Sequence, residues 1–270
     1  MVSRLNQNSD DESVFVRRLR EATLLQSVKV FESLESTNTW ALENSFNDVN
    51  QLPQLVWAKH QTGGRGRGSN RWHSEPGALT FSIALQSARV ARSAADLPKI
   101  ALLAGLAVQA AIQPMVTDDD VRVKWPNDVY VCDRKLAGIL VETPNRSAAS
   151  AVVGIGLNVH NSLQGAPDGV ARRGVSLQQL AVASLDLEEV LISLVVAFEN
   201  QWKQFECGTW NLSQQWSRVC YLTGRRIDLQ SGRRRWQGVV RGIAEDGALQ
   251  LETVPGHVER IYAGQVTIIE

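Results

Sequence analysis

Gly63-Gly64-Arg65-Gly66-Arg67-Gly68-Ser69-Asn70-Arg71-Trp72 is the densest feature of the chain. Glycines let a backbone approach a ligand closely and present bare N–H groups. Arginines supply paired donors for carboxylate and phosphate. No Gly-Lys-Ser/Thr follows, so the stretch is not a P-loop, and its glycine spacing is not that of the dinucleotide fingerprint. Read alone, it is a solvated basic loop, an Arg-Gly-rich nucleic-acid contact or an anion cradle. Its surroundings have to decide.

The flanks mix strands and helices. Leu55–Lys59 before the loop and Ala78–Leu85 after it read as strands. Asp96 is a candidate helix N-cap, with Pro98 in the first turn where proline is tolerated. The run Lys99–Gln113 is apolar nearly all round, as a buried helix is. Val121–Trp125, Val129–Val131 and Leu136–Glu142 read as strands, with Asp133-Arg134 as a tight hairpin between the last two. Ala151–Val159 is another strand. Residues 160–175, with Gly165, Pro167, Gly169 and Gly174, read as a loop. Asp186 with Glu189 fits a capping box. The apolar residues Leu187, Val190, Leu191, Leu194, Val195, Phe198, Trp202 and Phe205 then predict an amphipathic helix ended by Gly208. Towards the N-terminus, Val28–Phe31 is the first strand, and Asp11 caps a short helix reaching about Leu25, after a frayed, polar start.

The texture changes after about Trp216. Short strands at Arg226–Gln230, Arg235–Gly242, Ala248–Thr253, Glu259–Tyr262 and Val266–Ile269 alternate with Ser231-Gly232, Asp246-Gly247 and Pro255-Gly256, which predicts a small barrel. The division expected is an N-terminal extension (1–27), a main domain (28–216) and a small C-terminal domain (217–270).

Composition narrows the classes. The 270 residues are 44% hydrophobic and 21% charged, with 28 basic and 28 acidic side chains. A chain of this length buries a core without staples, and zero net charge argues against nucleic-acid binding by the whole surface. Cys132, Cys207 and Cys220 form no Cys-x-x-Cys pair, against a zinc site or a disulfide framework. The N-terminus has no signal-peptide core. The longest apolar run, Ile100 to Ile112, is too short to span a bilayer. The expectation is a soluble cytoplasmic protein without membrane contact.

Four further motifs each leave two readings open. Lys124-Trp125-Pro126-Asn127-Asp128 is either a plain strand and turn or a lysine and an aspartate beside a ligand. Arg134-Lys135-Leu136-Ala137-Gly138-Ile139-Leu140-Val141-Glu142 puts a glycine inside an apolar strand, which marks close approach by a ligand or by another backbone. Gly154-Ile155-Gly156-Leu157-Asn158-Val159 holds an Asn that must find partners if buried, in a loop or in a ligand. Ser36-Thr37-Asn38 is a helix N-cap cluster that could also bond a small ligand. His60, His73, His160 and His257 have no metal-ligand spacing.

In this order and spacing, Ser-Thr-Asn, Gln61 with Gly-Arg-Gly-Arg-Gly, Lys-Trp-Pro-Asn-Asp, Arg-Lys-Leu-Ala-Gly-Ile-Leu-Val-Glu and Gly-Ile-Gly-Leu-Asn-Val resemble the biotin protein ligases (biotin–[acetyl-CoA-carboxylase] ligases), from about Val30 to Asn161. The resemblance implies an α/β (α+β) fold: a class II aminoacyl-tRNA-synthetase-like mixed sheet flanked by helices, then a small SH3-like β-barrel. It implies an ATP-dependent enzyme that forms biotinyl-5′-AMP and passes biotin to a lysine of a biotin carboxyl carrier protein. Ser36, Thr37, Asn38, Gln61, Gly64 and Gly138 would line the biotin site. Arg65 and Arg67 would clamp the carboxylate and phosphates, and Lys135 would bridge the carboxylate and the α-phosphate. Lys124, Asn127 and Asn158 would face the nucleotide, and Trp72 would pack near adenine or close the loop. The catalytic set would be Arg67, Lys124 and Lys135. Mg²⁺ would accompany the phosphates, with Asp128 as the acid nominated near it, and a homodimer is plausible.

Two departures stand out. Ser69 and Asn70 occupy positions where one form of the family pattern has Gly and Arg. No helix-turn-helix segment precedes the first strand, so this is a short form expected not to bind DNA. The rivals are a lipoate–protein ligase, a catalytically dead ligand-binding regulatory module, and a nucleic-acid binder using Arg225, Arg226 and Arg233–Arg235, which salt-dependent titration would test.

Overall fold

A computed structural model describes residues 13–87, 96–116, 120–144, 149–181 and 183–269. Seven strands form one mixed sheet: β1 (Ser27–Leu34), β2 (Gln54–Gln61), β3 (Ala78–Gln86), β4 (Arg122–Lys124), β5 (Asp128–Val131), β6 (Arg134–Glu142) and β7 (Ser150–Asn158). Their order is β1-β2-β3-β7-β6-β5-β4. Only β1 and β2 run parallel, joined through helix α2 (Thr37–Asn44). The other neighbours are antiparallel.

The period of two in the strands sets what each face carries. On β7, Val153, Ile155 and Leu157 enter the main core, under helices α1 (Val14–Ala22), α3 (Leu97–Ile112) and α5 (Leu187–Cys207). The alternate residues Gly154, Gly156 and Asn158 face the other way, paired with Ser82, Thr80 and Ala78 of β3. On that second face α2 covers the end built from β1, β2, β3 and the start of β7, through Phe31, Leu34, Ala41, Val56, Ala58 and Val152. The rest of the face, over β6 and the later part of β7, is not covered by a helix of its own.

Helix α6 (Leu212–Val219) leads into β8 (Arg226–Ser231), β9 (Arg234–Ile243), β10 (Leu249–Val254), β11 (His257–Ile261) and β12 (Gln265–Ile268). These form an antiparallel sheet of order β11-β10-β9-β8-β12, a meander whose last strand returns to pair with its first. This is the small five-stranded unit expected of the C-terminus; β11 and β12 stand at its two edges. A second core cluster joins it to the main sheet: Leu102 and Leu106 of α3, Val123 and Trp125 pack with Trp216, Ile227, Val240 and Leu251. Trp125 Nε1 also donates to Gly247 O at 3.2 Å.

Several local expectations need correction. The β5–β6 turn is Cys132-Asp133, both at positive φ (49° and 56°), as a two-residue type I′ hairpin requires; Arg134 already belongs to β6. Residues 160–175 are not all loop, because Asp168–Arg173 forms helix α4 behind Pro167, a residue that favours helix starts. Helix α1 is capped by Ser13, whose Oγ accepts from Val16 N; Asp11 lies outside the described residues. Asp96 occupies the N-cap position of α3 without a side-chain cap and instead pairs with Lys99 at 2.6 Å. Asp186 does cap α5, accepting from Glu188 and Glu189 N–H. Glu189 binds Arg18 rather than closing the box. Helix α5 ends at Gly208, φ 72°, where a left-handed residue is needed. Finally, Leu97–Met115 is 19 residues long and apolar enough to cross a membrane by length and composition, contrary to the shorter run read from sequence. Here it is a core helix, with Ile100, Leu103 and Ala104 in the main cluster and Leu102 and Leu106 in the second.

Candidate active site

The open face of β6 and β7 forms the floor of a cavity of ≈ 540 Å³. Into it converge Ser36, Thr37 and Asn38 from the start of α2, Gln61 from the end of β2, and Arg65, Arg67 and Trp72 from the glycine–arginine loop. Lys124, Asn127 and Asp128 come from the β4–β5 turn, Lys135 and Gly138 from β6, and Asn158 from β7. Every residue singled out in the five motifs lines this one cavity except Gly64. Gly64 supports the wall: its O accepts from Trp72 N at 3.0 Å, and a Cβ there would sit 2.6 Å from Trp72 O.

The glycines of the floor exist because something lies on them. A Cβ on Gly156 would be 2.4 Å from the Trp72 indole, and one on Gly138 would meet Lys135 and Trp72 at 3.2 and 3.3 Å. A Cβ on Gly154 would be 2.1 Å from Asn38 Oδ1. The loop residue Trp72 therefore rests on the sheet itself, and Asn38 takes the neighbouring glycine.

At the end of the cavity away from Asp128 a polar network is buried. Ser36 caps α2, accepting from Thr39 N. Gln61 Oε1 accepts from Thr37 N at 2.7 Å. Ser82 Oγ lies 2.7 Å from Thr37 Oγ1 and donates to Asn38 Oδ1 at 2.6 Å. Asn38 Nδ2 donates to Leu140 O at 3.2 Å and to Glu142 Oε2 at 2.9 Å. Glu142 in turn takes both ends of the Arg65 guanidinium, at 2.9 and 2.6 Å.

The other end is a cluster of cations. Lys135 Nζ lies 2.6 Å from Asp128 Oδ1, an ion pair by distance although its angles are not those of a hydrogen bond. Lys124 stands opposite Asp128 in the strand register, with Nζ 5.0 Å from the Tyr130 ring centroid. Arg67 Nη1 donates to Asn127 Oδ1 at 3.2 Å. Asn127 is itself fixed by donating through Nδ2 to Ile139 O at 2.8 Å. Burial lowers the pKa of Arg67, opposed by Asp128. Burial likewise lowers that of Lys124, opposed by Asp128 and reinforced by Lys135, Arg173 and Arg225. Both shifts have the physical origin expected of a cation cluster in a cleft, unfavourable until an anion enters. Among the described residues, Asp128 is the one acid that lines the cavity.

Asn158 has the partners its burial demands: Nδ2 donates to Val175 O at 3.1 Å, and Oδ1 accepts from Asn161 at 3.0 Å. It thus holds the chain around α4 against the cavity rim. Residues not singled out in the sequence also line the site: Tyr130, Arg173 and Gly174, and Gly264, Gln265 and Val266 from the C-terminal sheet. Tyr130 stacks on Tyr221 at 4.8 Å, and Arg225 lies over Tyr221 at 4.0 Å. Asp133 at the hairpin tip accepts from both Tyr221 and Arg225. The chain after α6 is thereby fastened to the strand that carries Tyr130.

This geometry has known relatives. Residues 30–158 match the model of the biotin/lipoate A/B protein ligase family. The chain is 32% identical over 212 residues to the biotin–[acetyl-CoA-carboxylase] ligase of Paracoccus denitrificans, covering 85% of it and 74% of this chain. The chain belongs to this family. It is also 28% identical to the biotin–[acetyl-CoA-carboxylase] ligase of Mycobacterium tuberculosis over 267 residues, 97% of each protein. Among solved structures, it is similar to the biotin protein ligase from Aquifex aeolicus in complex with biotin and ATP. The TM-score there is 0.76 at 25% identity, covering 90% of this chain and 98% of that one.

Proposed function

We propose that the chain is an ATP-dependent biotin protein ligase. It joins biotin and ATP to biotinyl-5′-AMP and then transfers the biotinyl group to a lysine of a biotin carboxyl carrier protein, such as that of acetyl-CoA carboxylase. The carrying observation is charge. Arg67, Lys124 and Lys135 meet at one cavity with Asp128 as their acidic partner, beside a small pocket of neutral polar groups. Such a site has unbalanced positive charge at one end and hydrogen-bonding capacity without net charge at the other, where Glu142 pairs with Arg65. It suits a triphosphate next to a carboxylate whose far end is a neutral, polar head.

The roles follow from where each charge develops. In the first step a carboxylate oxygen bonds to the α-phosphorus while the bond to the β-phosphate oxygen breaks, releasing pyrophosphate. Two anions approach, so fixed cations in a desolvated cleft lower the barrier. Lys135, paired with Asp128, and Arg67, bonded to Asn127, serve the carboxylate and the α-phosphate. Lys124 serves the phosphates. Ser36, Thr37, Asn38, Gln61 and Gly138 border the biotin site, with Gly64 and Arg65 at the base of the loop above it. Trp72 and Asn158 shape the nucleotide side. In the second step the neutral amine of the acceptor lysine attacks the acyl carbon, the bond to AMP breaks, and a proton is lost. The loop lying over the floor keeps water from the mixed anhydride meanwhile.

Mg²⁺ fits as a companion of ATP. Among the described residues no group of three potential ligands is preassembled, and a cation held mainly by phosphate oxygens needs one or two protein carboxylates or waters. Asp128, with Asn127 beside it, would supply the protein's share, and the ion would neutralise phosphate charge. The functional division we propose is 28–216 for biotin and ATP binding and 217–270 for the SH3-like unit, after an extension at 1–27. Action in the cytoplasm belongs to the same reading. So does a homodimer, for which the edge strand β1 offers unpaired backbone groups.

The test is pyrophosphate release from Mg-ATP with biotin, lipoate or octanoate, without carrier. A burst with biotin alone, near one per site, is the expected result. A burst with lipoate alone moves the chain to the lipoate branch of its family. No burst with any acid in folded protein overturns the reading.

A further inference from the structure

The loop and the acid pocket share one carboxylate. Arg65 lies at the base of the loop, bridged to Arg71 across it, with Gly66 N donating to Asn70 O at 2.8 Å. Its guanidinium is held in two-pronged fashion by Glu142, the last residue of β6. The same Glu142 oxygen that accepts at 2.6 Å from Arg65 accepts at 2.9 Å from Asn38. Both donors of Asn38 are engaged, with Leu140 O and Glu142, and its Oδ1 accepts from Ser82. Its amide is buried and pressed onto Gly154. Its N–H donors are unavailable to a ligand unless this arrangement breaks, while Oδ1 keeps one lone pair free to accept.

We propose that Glu142 is a positioning residue for adenylation: it ties the glycine–arginine loop, through Arg65, to the start of α2, through Asn38, so that pocket and cover take up their places together. This rests on the ligase reading above. Arg65 is then an anchor whose charge Glu142 cancels, and the cations left to meet phosphate are Arg67, Lys124 and Lys135. A two-pronged Arg–carboxylate pair gives the geometric fixity such an anchor needs. Trp72 also rests on the floor glycines, and Arg67 donates to Asn127; of these tethers the Glu142 contact is the two-pronged, charge-paired one.

The experiment compares E142A, E142Q, E142D, R65A and the R65A/E142A double variant. Biotin-dependent pyrophosphate release gives KM and kcat, and limited trypsin digestion reads cleavage after Arg67 and Arg71. The proposal expects E142A and E142Q to raise KM for biotin about tenfold, the effect of one charge-assisted contact, with a smaller change in kcat. E142D, which keeps the charge, should recover most of the loss, as a merely structural role would not require. The double variant should be no worse than either single one, because both break the same link. Trypsin should cut the loop faster in E142A than in the wild type. The proposal is overturned if R65A lowers kcat far more than E142A and the two effects multiply, since Arg65 then acts on substrate directly. It is equally overturned if loop cleavage is unchanged in E142A. Wild-type protein without biotin-dependent release would refute the ligase reading, and the digestion would still decide the anchor. E142Q keeps side-chain volume, so a folding failure of E142A does not remove the test.

Discussion

Asp128 is shared by two lysines from different strands: Lys124 faces it across the β4–β5 register, and Lys135 Nζ approaches it to 2.6 Å from β6. One carboxylate thus steadies two like charges that would otherwise repel at close range. It leaves them short of counter-charge, which in the proposed reaction readies the pair for phosphate.

Lys135→Ala should abolish adenylation while sparing the fold. The Lys135 side chain is one-third exposed, at 33%. An ion pair of that kind contributes ~0–1 kcal/mol to stability. Loss of a charge-stabilising donor from the reacting centre typically costs about 10²–10³-fold in rate. Single-turnover pyrophosphate release alongside thermal melting checks both halves. Activity and melting temperature falling together would show that the lysine is a structural residue.

For Arg67→Gly, faster loss of biotinyl-5′-AMP is expected, with looser choice of acceptor lysine. Arg67 fixes the arm of the loop to Asn127, and a glycine there removes the contact and loosens the backbone. A chase from preformed enzyme-bound adenylate measures release. An unchanged rate would mean that the cover does not depend on this residue.

Replacing Lys124 with Met should make the protein more stable and less active. The folded-state pKa of Lys124 lies below its ordinary 10.5, chiefly because of burial. Below the folded pKa both states are protonated, and the full penalty of holding the charge is present. As pH rises from the folded value towards 10.5 the unfolded chain holds more protons, so wild-type stability rises relative to the variant. The stability gap, largest at neutral pH, should therefore narrow with increasing pH. Melting curves at several pH values test this; a variant less stable than wild type at pH 7 would contradict it.

Gly154→Ala and Gly156→Ala should each impair the site by displacing what rests on the floor, Asn38 in one case and Trp72 in the other. Overpacking of this sort costs roughly 1–3 kcal/mol. Gly165→Ala, where an added Cβ meets nothing within 4 Å, is the control. Ligand titration should show weaker biotin binding in Gly154→Ala. Equal behaviour of all three would show that the floor yields without cost.

Much of this site could be read from the chain because its parts are short contiguous runs. Lys124 through Asp128 form one turn, Gly63 through Trp72 one loop, and both carry residue types that are costly to bury without a purpose. The helix at α5 announced itself by spacing, cap and terminal glycine. What could not be read was pairing at long range. Glu142 is an ordinary strand-end acid until Arg65, 77 positions away, is seen to hold it. Tyr130 and Arg173 lacked any motif. Helix α4 was hidden by the glycines and proline that surround it. The β5–β6 turn was misplaced by one residue, because Cys132 in a left-handed conformation has no compositional signal. The contribution of Gly264, Gln265 and Val266 depends on how the two sheets meet, which local pattern does not encode.

That meeting has one more consequence. Val123 and Trp125, the two neighbours of Lys124, are both set into the hydrophobic cluster that continues beneath the C-terminal sheet. The lysine is therefore mounted like a gemstone between two prongs whose sockets lie in the other half of the molecule. Cutting the chain before β8 would not simply detach an appendage. It would unseat the strand bearing Lys124, and the two halves should melt as one cooperative body.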